Sequence, residues 1–323
     1  MKALTRTQYG STEVLHINEV EKPTPKANEV LVRVKAASVN AGDIHMLYGT
    51  PFPLRLMFGL FQPKIKILGV DIAGVVETVG SDVAKYQPGD EVFGDLSNSG
   101  FGAFAEFTCV HEDALAHKSA SVSFEQSSSL PTAGATALQG LRDYGKIKAG
   151  DKVLVNGASG GVGSFAVQLA KHFGAEVTAV CSTRKMEMVR ALGADRVIDY
   201  TKQDPTQTGD VYDLILDAAA FRHPREFASC LASKGRYVLA GGGLKPLLQL
   251  AWMNMWRSKK DGQTFQNFLV KVVPENLELL NDLLEQGAIR PYISKTYTLS
   301  ETPEAIRAVE NRQVQGKLAV SIS

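Results

Sequence analysis

Over the first part of the chain, short apolar runs change with polar residues at a period near two. Val30-Leu31-Val32-Arg33-Val34-Lys35 is the clearest run, and Pro23, Pro25, Gly69, Gly74, Gly80 and Pro88-Gly89-Asp90 punctuate the others. Alternation broken by tight turns predicts a β-rich, barrel-like domain over residues 1–124. From 125 onward the pattern changes. Val153-Leu154-Val155 leads into a helical run from Gly161 to Phe173, and Glu176-Val177-Thr178-Ala179-Val180 follows as a strand. Met186 to Leu192 reads as helix, while Val197-Ile198, Leu214-Ile215-Leu216 and Tyr237-Val238-Leu239 read as extended. Strand–helix–strand spacing of this kind predicts an α/β, doubly wound parallel sheet over residues 125–268. Residues 269–323 read as a helix from Pro274 to Gln286, a helix near Pro303 to Val309 and a last strand, Leu318-Ala319-Val320.

Composition narrows the class. A chain of 323 residues suits about two domains. With 44% apolar and 21% charged residues it is neither disordered nor fibrous. Lys+Arg 35 against Asp+Glu 34 leaves a net charge of +1, too little to hold nucleic acid without sequence preference. Cys109, Cys181 and Cys230 lie far apart with no C-x-x-C pair, so they give neither a disulfide framework nor a cysteine-rich zinc lobe. They suit a reducing compartment. Met1-Lys2-Ala3-Leu4-Thr5-Arg6 has no apolar core of a secretory signal, and the expected location is cytoplasmic. Val238 to Trp256 is mostly apolar, but Gly241-Gly242-Gly243 and Lys245-Pro246 interrupt it, so no membrane span is expected. Arg257-Ser258-Lys259-Lys260 reads as a solvated helix end.

The strongest local signal runs from Gly150 to Lys171. A buried strand enters the turn Asn156-Gly157-Ala158-Ser159-Gly160-Gly161-Val162-Gly163, and a helix leaves it. Ala158, Gly160 and Gly163 fill the three positions of a dinucleotide fingerprint. Small residues let backbone approach a pyrophosphate, and the helix start offers free N–H groups there, so Ser159, Gly160, Gly161 and Val162 are candidate phosphate contacts. The second strand ends at Cys181-Ser182-Thr183-Arg184-Lys185, with no acid to accept from a ribose 2′-hydroxyl. Ser182, Arg184 and Lys185 suit a 2′-phosphate instead, which predicts NADPH as the cofactor.

The Gly150–Lys171 segment resembles the signature of the zinc-free quinone oxidoreductase and ζ-crystallin branch of the medium-chain dehydrogenase/reductase superfamily. Ile67-Leu68-Gly69-Val70-Asp71-Ile72-Ala73-Gly74, Pro88-Gly89-Asp90-Glu91-Val92-Phe93-Gly94 and Gly316-Lys317-Leu318-Ala319-Val320 extend the resemblance over nearly the whole chain. It implies a GroES-like β-rich catalytic domain, made from residues 1–124 and 269–323, with a Rossmann NADP(H)-binding domain inserted over 125–268. It also implies a nicotinamide in the interdomain cleft. Among residues, it implies Asn40 near the nicotinamide, Asp43 organising its loop, and His45 where relatives carry Tyr or Lys. Thr136 would hold the carboxamide, Tyr200 would lie beside the 2′-phosphate, Gly241 and Gly242 would approach the ring, and Lys317 would join the cofactor contacts.

Zinc-dependent relatives place ligands at positions that correspond here to Asn40, Val70-Asp71 and Thr132, where no thiolate or imidazole stands. His111-Glu112-Asp113-Ala114-Leu115-Ala116-His117 does not supply a site either, because residues six apart lie roughly 120° apart around a helix. His16, His172 and His223 show no partner pattern. The expectation is a metal-free protein. Reducing a plain ketone creates a localised alkoxide that a metal would stabilise. Reducing a quinone or the C=C bond of an α,β-unsaturated carbonyl spreads the charge, and hydrogen-bond donors suffice.

Asn40, Asp43, His45 and Tyr48 are the candidate catalytic residues. His45 either donates to the substrate or is a loop histidine bonded to backbone; Tyr48 either donates or packs. The apolar segments 51–61 and 247–256 either wall a pocket for a lipophilic substrate or serve packing and subunit contact. Thr264-Phe265-Gln266-Asn267-Phe268-Leu269-Val270 is the candidate edge strand of a homodimer. The expected activity is NADPH-dependent, zinc-independent hydride transfer to a quinone or an enone. The alternative is a noncatalytic NADPH-binding protein, crystallin-like or membrane-associated.

Overall fold

Residues 1–242, 244–256 and 262–322 are described in the computed structural model. The chain opens with β1 (Lys2–Thr5) and β2 (His16–Glu19), an antiparallel pair. The period-two runs then become β3 (Glu29–Ser38), β4 (Asp71–Val79), β5 (Glu91–Asp95), β6 (Phe107–His111) and β7 (Leu115–His117). Helices α1 (Ala41–Tyr48) and α2 (Pro53–Phe58) lie between β3 and β4, and α3 (Phe124–Ser128) and α4 (Pro131–Gln139) follow β7.

The alternating region follows: β8 (Lys152–Asn156), α5 (Gly161–His172), β9 (Glu176–Cys181), α6 (Met186–Ala191), β10 (Arg196–Asp199), β11 (Tyr212–Asp217), β12 (Leu231–Leu239), α7 (Leu244–Trp256) and β13 (Thr264–Asn267). The chain closes with α8 (Pro274–Glu285), β14 (Ile293–Thr298), α9 (Thr302–Glu310) and β15 (Lys317–Ser321). No described helix is long and apolar enough to cross a membrane.

Two compact units result. The first contains Met1–Thr132, Val272–Gly287 and Ile293–Ser323. Its larger sheet runs β14-β15-β3-β4-β5-β7, with β6 also on β3, and all its pairings are antiparallel except β14 with β15. Val32, Leu47, Leu68, Ile72 and Phe104 are among the side chains fully inside its core. Each such burial is worth about 1.5–3 kcal/mol of transfer free energy. The second unit contains Ala133–Lys271 and Ala288–Tyr292. Its six strands are parallel in the order β10-β9-β8-β11-β12-β13. Numbered within the unit this is 3-2-1-4-5-6, the doubly wound dinucleotide-binding order.

The unit boundaries differ from the texture-based limits of 1–124, 125–268 and 269–323. The first crossing falls after Thr132 because Thr132 is bonded to Asp71 and Asp95 of the antiparallel unit. Val272–Gly287 belongs to the first unit, where Asn281 Oδ1 accepts from Ser119 N–H at 3.2 Å. Ala288–Tyr292 belongs to the second, because Gln168 clasps Arg290 through both its N–H (2.8 Å) and its carbonyl (3.0 Å). Neither clasp is visible in hydrophobic periodicity.

Candidate active site

The catalytic-domain candidates begin on α1. Asn40 precedes the helix in extended conformation, and Asp43 Oδ2 accepts its main-chain N–H at 2.8 Å. Gly49 ends the helix with φ 62°, the left-handed C-cap that glycine adopts without a Cβ penalty. Two cations finish the cap. Arg6 donates to Met46 O (2.5 Å) and Leu47 O (3.0 Å), and Arg55 donates to Tyr48 O (3.0 Å) and Gly49 O (3.1 Å). Both guanidinium groups also lie over the Tyr9 ring. Positive charge at a helix C-terminus complements its dipole. Burial lowers the Arg6 guanidinium to about 10.

The face of α1 carrying Asp43, Met46 and Leu47 is buried, as an i, i+3, i+4 pattern requires. Asp43 is therefore not available to substrate. Burial pushes its carboxyl up to about 7 and nearby Asp71 adds to the rise, while the Asn40 and Gly69 N–H groups and Lys317 oppose it. His45 and Tyr48 are only half-buried. The Glu310 carboxylate near Tyr48 raises the phenol above its ordinary pKa. Tyr48 is thereby a weaker acid than a free phenol.

Asp71, fully buried at the start of β4, gathers the positions that the sequence singled out. Its Oδ2 accepts from Ser38 Oγ (3.0 Å) and Asn40 Nδ2 (2.8 Å). Its Oδ1 accepts from Thr132 N–H (3.0 Å) and Thr132 Oγ1 (2.6 Å). The Thr132 hydroxyl also lies 3.1 Å from Asp95 Oδ2, and burial with the Asp71 charge raises the Asp95 carboxyl to about 6. Lys317 completes the group. Its ammonium donates to Asn40 Oδ1 at 2.6 Å and Val39 O at 3.3 Å, and lies 3.5 Å from Asp71 Oδ2. At 3% exposure Lys317 sits inside the antiparallel unit. Lys317, expected among the cofactor contacts, is bonded within this cluster.

The second unit carries the nucleotide-binding geometry. Gly160 is the N-cap of α5, whose first main-chain bond runs from Ser164 N–H to Gly160 O at 2.9 Å. The N–H groups of Gly161, Val162 and Gly163 precede that bond and suit an anion. A Cβ on Gly163 would stand 2.2 Å from Gly157 O and 2.7 Å from Ala158 Cα, so only glycine fits where helix and turn meet. Ser159 is buried beside them. At the β9 end, Ser182 is half-buried and Arg184 exposed, while Lys185 is half-buried with its pKa lowered by burial. Tyr200 is exposed. Asp199, the carboxylate next to this end, is taken up by the Thr183 hydroxyl, the Thr201 hydroxyl (2.7 Å) and the Thr201 N–H (3.0 Å). These bonds hold its pKa below the usual carboxylate value. The residues present fit a nicotinamide dinucleotide: the free N–H groups of the glycine turn suit its pyrophosphate, and Arg184 and Lys185 are the cations at the β9 end.

Thr136 lies buried on α4. Gly241 and Gly242 follow β12 at φ 125° and 96°, and a Cβ on Gly242 would meet the Ala220 Cβ at 2.5 Å. Gly243 and Arg257 to Lys260 lie outside the described residues. Of the apolar segments, Phe52, Leu56, Met57, Phe61, Leu248 and Trp252 are exposed, while Leu250 and Met253 join the core of the second unit. α7 is therefore two-faced rather than wholly a pocket wall. His111 and His117 close β6 and β7, so they do not share a helix.

Periodicity missed the polar clasp at the strand ends of the parallel sheet. Asp217 closes β11 fully buried and accepts from Asn156 Nδ2 (2.8 Å), Tyr237 OH (2.7 Å), Ala219 N–H (3.0 Å) and Ala220 N–H (2.9 Å). Asn156 and Asp217 end the two strands, β8 and β11, on either side of the point where the strand order reverses, which is where such folds bind ligands. An Asp terminating an apolar run was the available signal.

Comparison with known proteins agrees with this fold. A family described as "Alcohol dehydrogenase GroES-like domain" matches residues 26–120, and one described as "Zinc-binding dehydrogenase" matches residues 192–320. The 2-methylene-furan-3-one reductase of Solanum lycopersicum is 34% identical over 335 residues, covering 99% of this chain and 79% of that protein. The chloroplastic NADPH-dependent alkenal/one oxidoreductase of Arabidopsis thaliana is 33% identical, covering 99% of this chain and 79% of its own length. The solved quinone oxidoreductase from Coxiella burnetii superimposes with a TM-score of 0.90 at 31% identity, over 100% of this chain and 99% of that one. The chain belongs to the medium-chain dehydrogenase/reductase superfamily, in its quinone oxidoreductase branch. It is an NAD(P)-dependent oxidoreductase.

The zinc implied by the second family description does not fit the residues here. Around Asp71 stand an amide, two hydroxyls and an ammonium 3.5 Å away, with no thiolate or imidazole among the bonded groups. An ammonium already beside the carboxylate opposes a second cation.

Proposed function

We propose that this protein is an NADPH-dependent, zinc-independent reductase of quinones or of the C=C bond of α,β-unsaturated carbonyl compounds. The observation that carries the reading is the closed network about Asp71, in which Asn40, Thr132 and Lys317 occupy the carboxylate that a metal would need. The stabilisers left for a developing anion are hydrogen-bond donors, which favour acceptors that delocalise charge. The names of the tomato and Arabidopsis relatives support a conjugated acceptor.

Bound NADPH supplies the hydride, which leaves an enolate or a hydroquinone anion on the acceptor. Gly161, Val162 and Gly163 would hold the pyrophosphate with main-chain N–H groups, while Gly160, whose own N–H is given to Gly157 O, would shape the turn that Ser159 lines. Ser182, Arg184, Lys185 and Tyr200 would hold the 2′-phosphate, and Thr136, Gly241 and Gly242 would hold the nicotinamide. Asn40 donates its remaining amide N–H to the acceptor oxygen. His45 delivers the proton that completes the reduction, since the nearby Glu310 carboxylate makes the Tyr48 phenol a weaker acid.

NADPH oxidation by the purified protein against quinones, alkenals and simple ketones, with and without chelator, tests this. Turnover of conjugated acceptors that survives chelation is expected. Turnover confined to simple ketones and abolished by chelator overturns the reading. The same proposal includes a cytoplasmic homodimer paired through β13, the outer strand of the parallel sheet. A stable monomer in light scattering would remove that part.

A further inference from the structure

The sheet register brings together residues from the two ends of the chain. β15 pairs antiparallel with β3, with Ala319 opposite Ser38, and Val39 N–H donates to Leu318 O at 3.2 Å. Lys317 at the start of β15 is thereby set beside Asn40, just past the end of β3. Its ammonium, 3% exposed, reaches Asn40 Oδ1 at 2.6 Å, while Asn40 Nδ2 donates to Asp71 Oδ2 at 2.8 Å.

These two contacts fix the side-chain amide. Turning it over would aim its NH2 at an ammonium and its oxygen at a carboxylate, a donor against a donor and an acceptor against an acceptor. With the observed orientation, one N–H is spent on Asp71 and the other faces no acceptor among the described residues. A buried ion pair is weak evidence for stability, since apolar replacements are often neutral or stabilising. Selecting one of two amide orientations is a task that an apolar residue cannot perform.

We infer that Lys317 is a positioning residue: its buried ammonium holds the Asn40 amide so that one N–H stays free to donate to the reacting oxygen. This rests on the reductase reading above and deepens it.

The test is a double-mutant cycle in the full-length protein with its NADPH. Lys317→Met and Asn40→Ala are each expected to lower kcat by roughly tenfold or more with little change in the KM for NADPH. Lys317→Met in the Asn40→Ala background is expected to cost nothing further. Additive losses would overturn the inference, because a merely structural lysine lowers activity whether or not Asn40 is present. If Lys317→Met does not fold, Lys317→Gln serves, since its amide NH2 can still donate toward Asn40 Oδ1. It should keep more kcat than Asn40→Ala, and equal losses count against positioning.

A second readout does not need turnover. The Asn40 side-chain NH2 pair, assigned by its disappearance in Asn40→Ala, should show one slowly exchanging proton in the wild type. In Lys317→Met, or in Lys317→Gln if the former does not fold, it should exchange faster or shift. An unchanged pair in the variant examined overturns the inference. A wild type inactive on every conjugated acceptor would sink the reductase reading and leave this spectrum to decide the role of Lys317.

Discussion

Tyr237 donates its hydroxyl proton to Asp217 Oδ2 at 2.7 Å, and neither side chain has any exposed surface. Burial, followed by the neighbouring Asp217, raises the phenol well above its ordinary pKa, so it remains a donor across the working range of pH. One strand end is thereby tied to the next, and Asp217 in turn holds the 219–220 turn through two main-chain N–H groups.

Tyr237→Phe removes one of four donors to a buried carboxylate. Hydrogen bonds to charged groups contribute about 1.5–3 kcal/mol, and the variant is expected to lose that much stability in urea or guanidinium unfolding. A loss below about 0.5 kcal/mol would mean that Asn156 and the two N–H groups satisfy Asp217 by themselves.

What the sequence made legible follows from local physics. The Ala158–Gly163 turn is visible because a close approach and a helix start both demand small residues at fixed spacing. The parallel strands are visible because they are apolar on both faces. Lys317 was not legible as a core residue, since its partners Val39, Asn40 and Asp71 arrive by sheet pairing across most of the chain. The Asp43 role was half legible: its spacing from Asn40 suggests a helix cap, but its burial depends on what packs behind α1. The unit boundaries failed for the same reason, because Thr132 and Arg290 are claimed by distant side chains.

Gly163 carries the sharpest steric prediction. A methyl group there would be 2.2 Å from Gly157 O and 2.7 Å from Ala158 Cα, both main-chain atoms that cannot swing aside. Gly163→Ala should force α5 away from the turn, destabilise the protein by about 1–3 kcal/mol and weaken NADPH binding measured by calorimetry. Affinity and stability equal to the wild type would show that the turn relaxes freely.

Cofactor preference tests the β9 end. Arg184 and Lys185 are the cations there, and Asp199 is withdrawn by Thr183 and Thr201. Arg184→Ala with Lys185→Ala should lower kcat/KM for NADPH roughly tenfold to a hundredfold, about 1.5–3 kcal/mol of charge-assisted bonding, while leaving NADH nearly unchanged. Equal losses with both nucleotides would remove the 2′-phosphate assignment.

Asp43 makes stability depend on pH with a definite sign. Its folded value, raised to about 7, lies above that of an unfolded aspartate, near 4. Between those values the unfolded chain has released a proton that the native chain still holds. Native stability therefore falls as pH rises from roughly 4 to about 7, by up to ~4 kcal/mol for a difference of about three pKa units, and levels off above. Asp95, raised to about 6, works in the same direction within that window. Asp43→Asn removes the titrating proton while its side-chain oxygen still accepts from Asn40 N–H. The fall in melting temperature between pH 5 and pH 8 should accordingly be smaller in Asp43→Asn than in the wild type, with the Asp95 contribution left in place. Identical falls in the two proteins would assign the proton elsewhere, because a buried carboxyl that is already ionised in the native state at pH 5 contributes no slope above it.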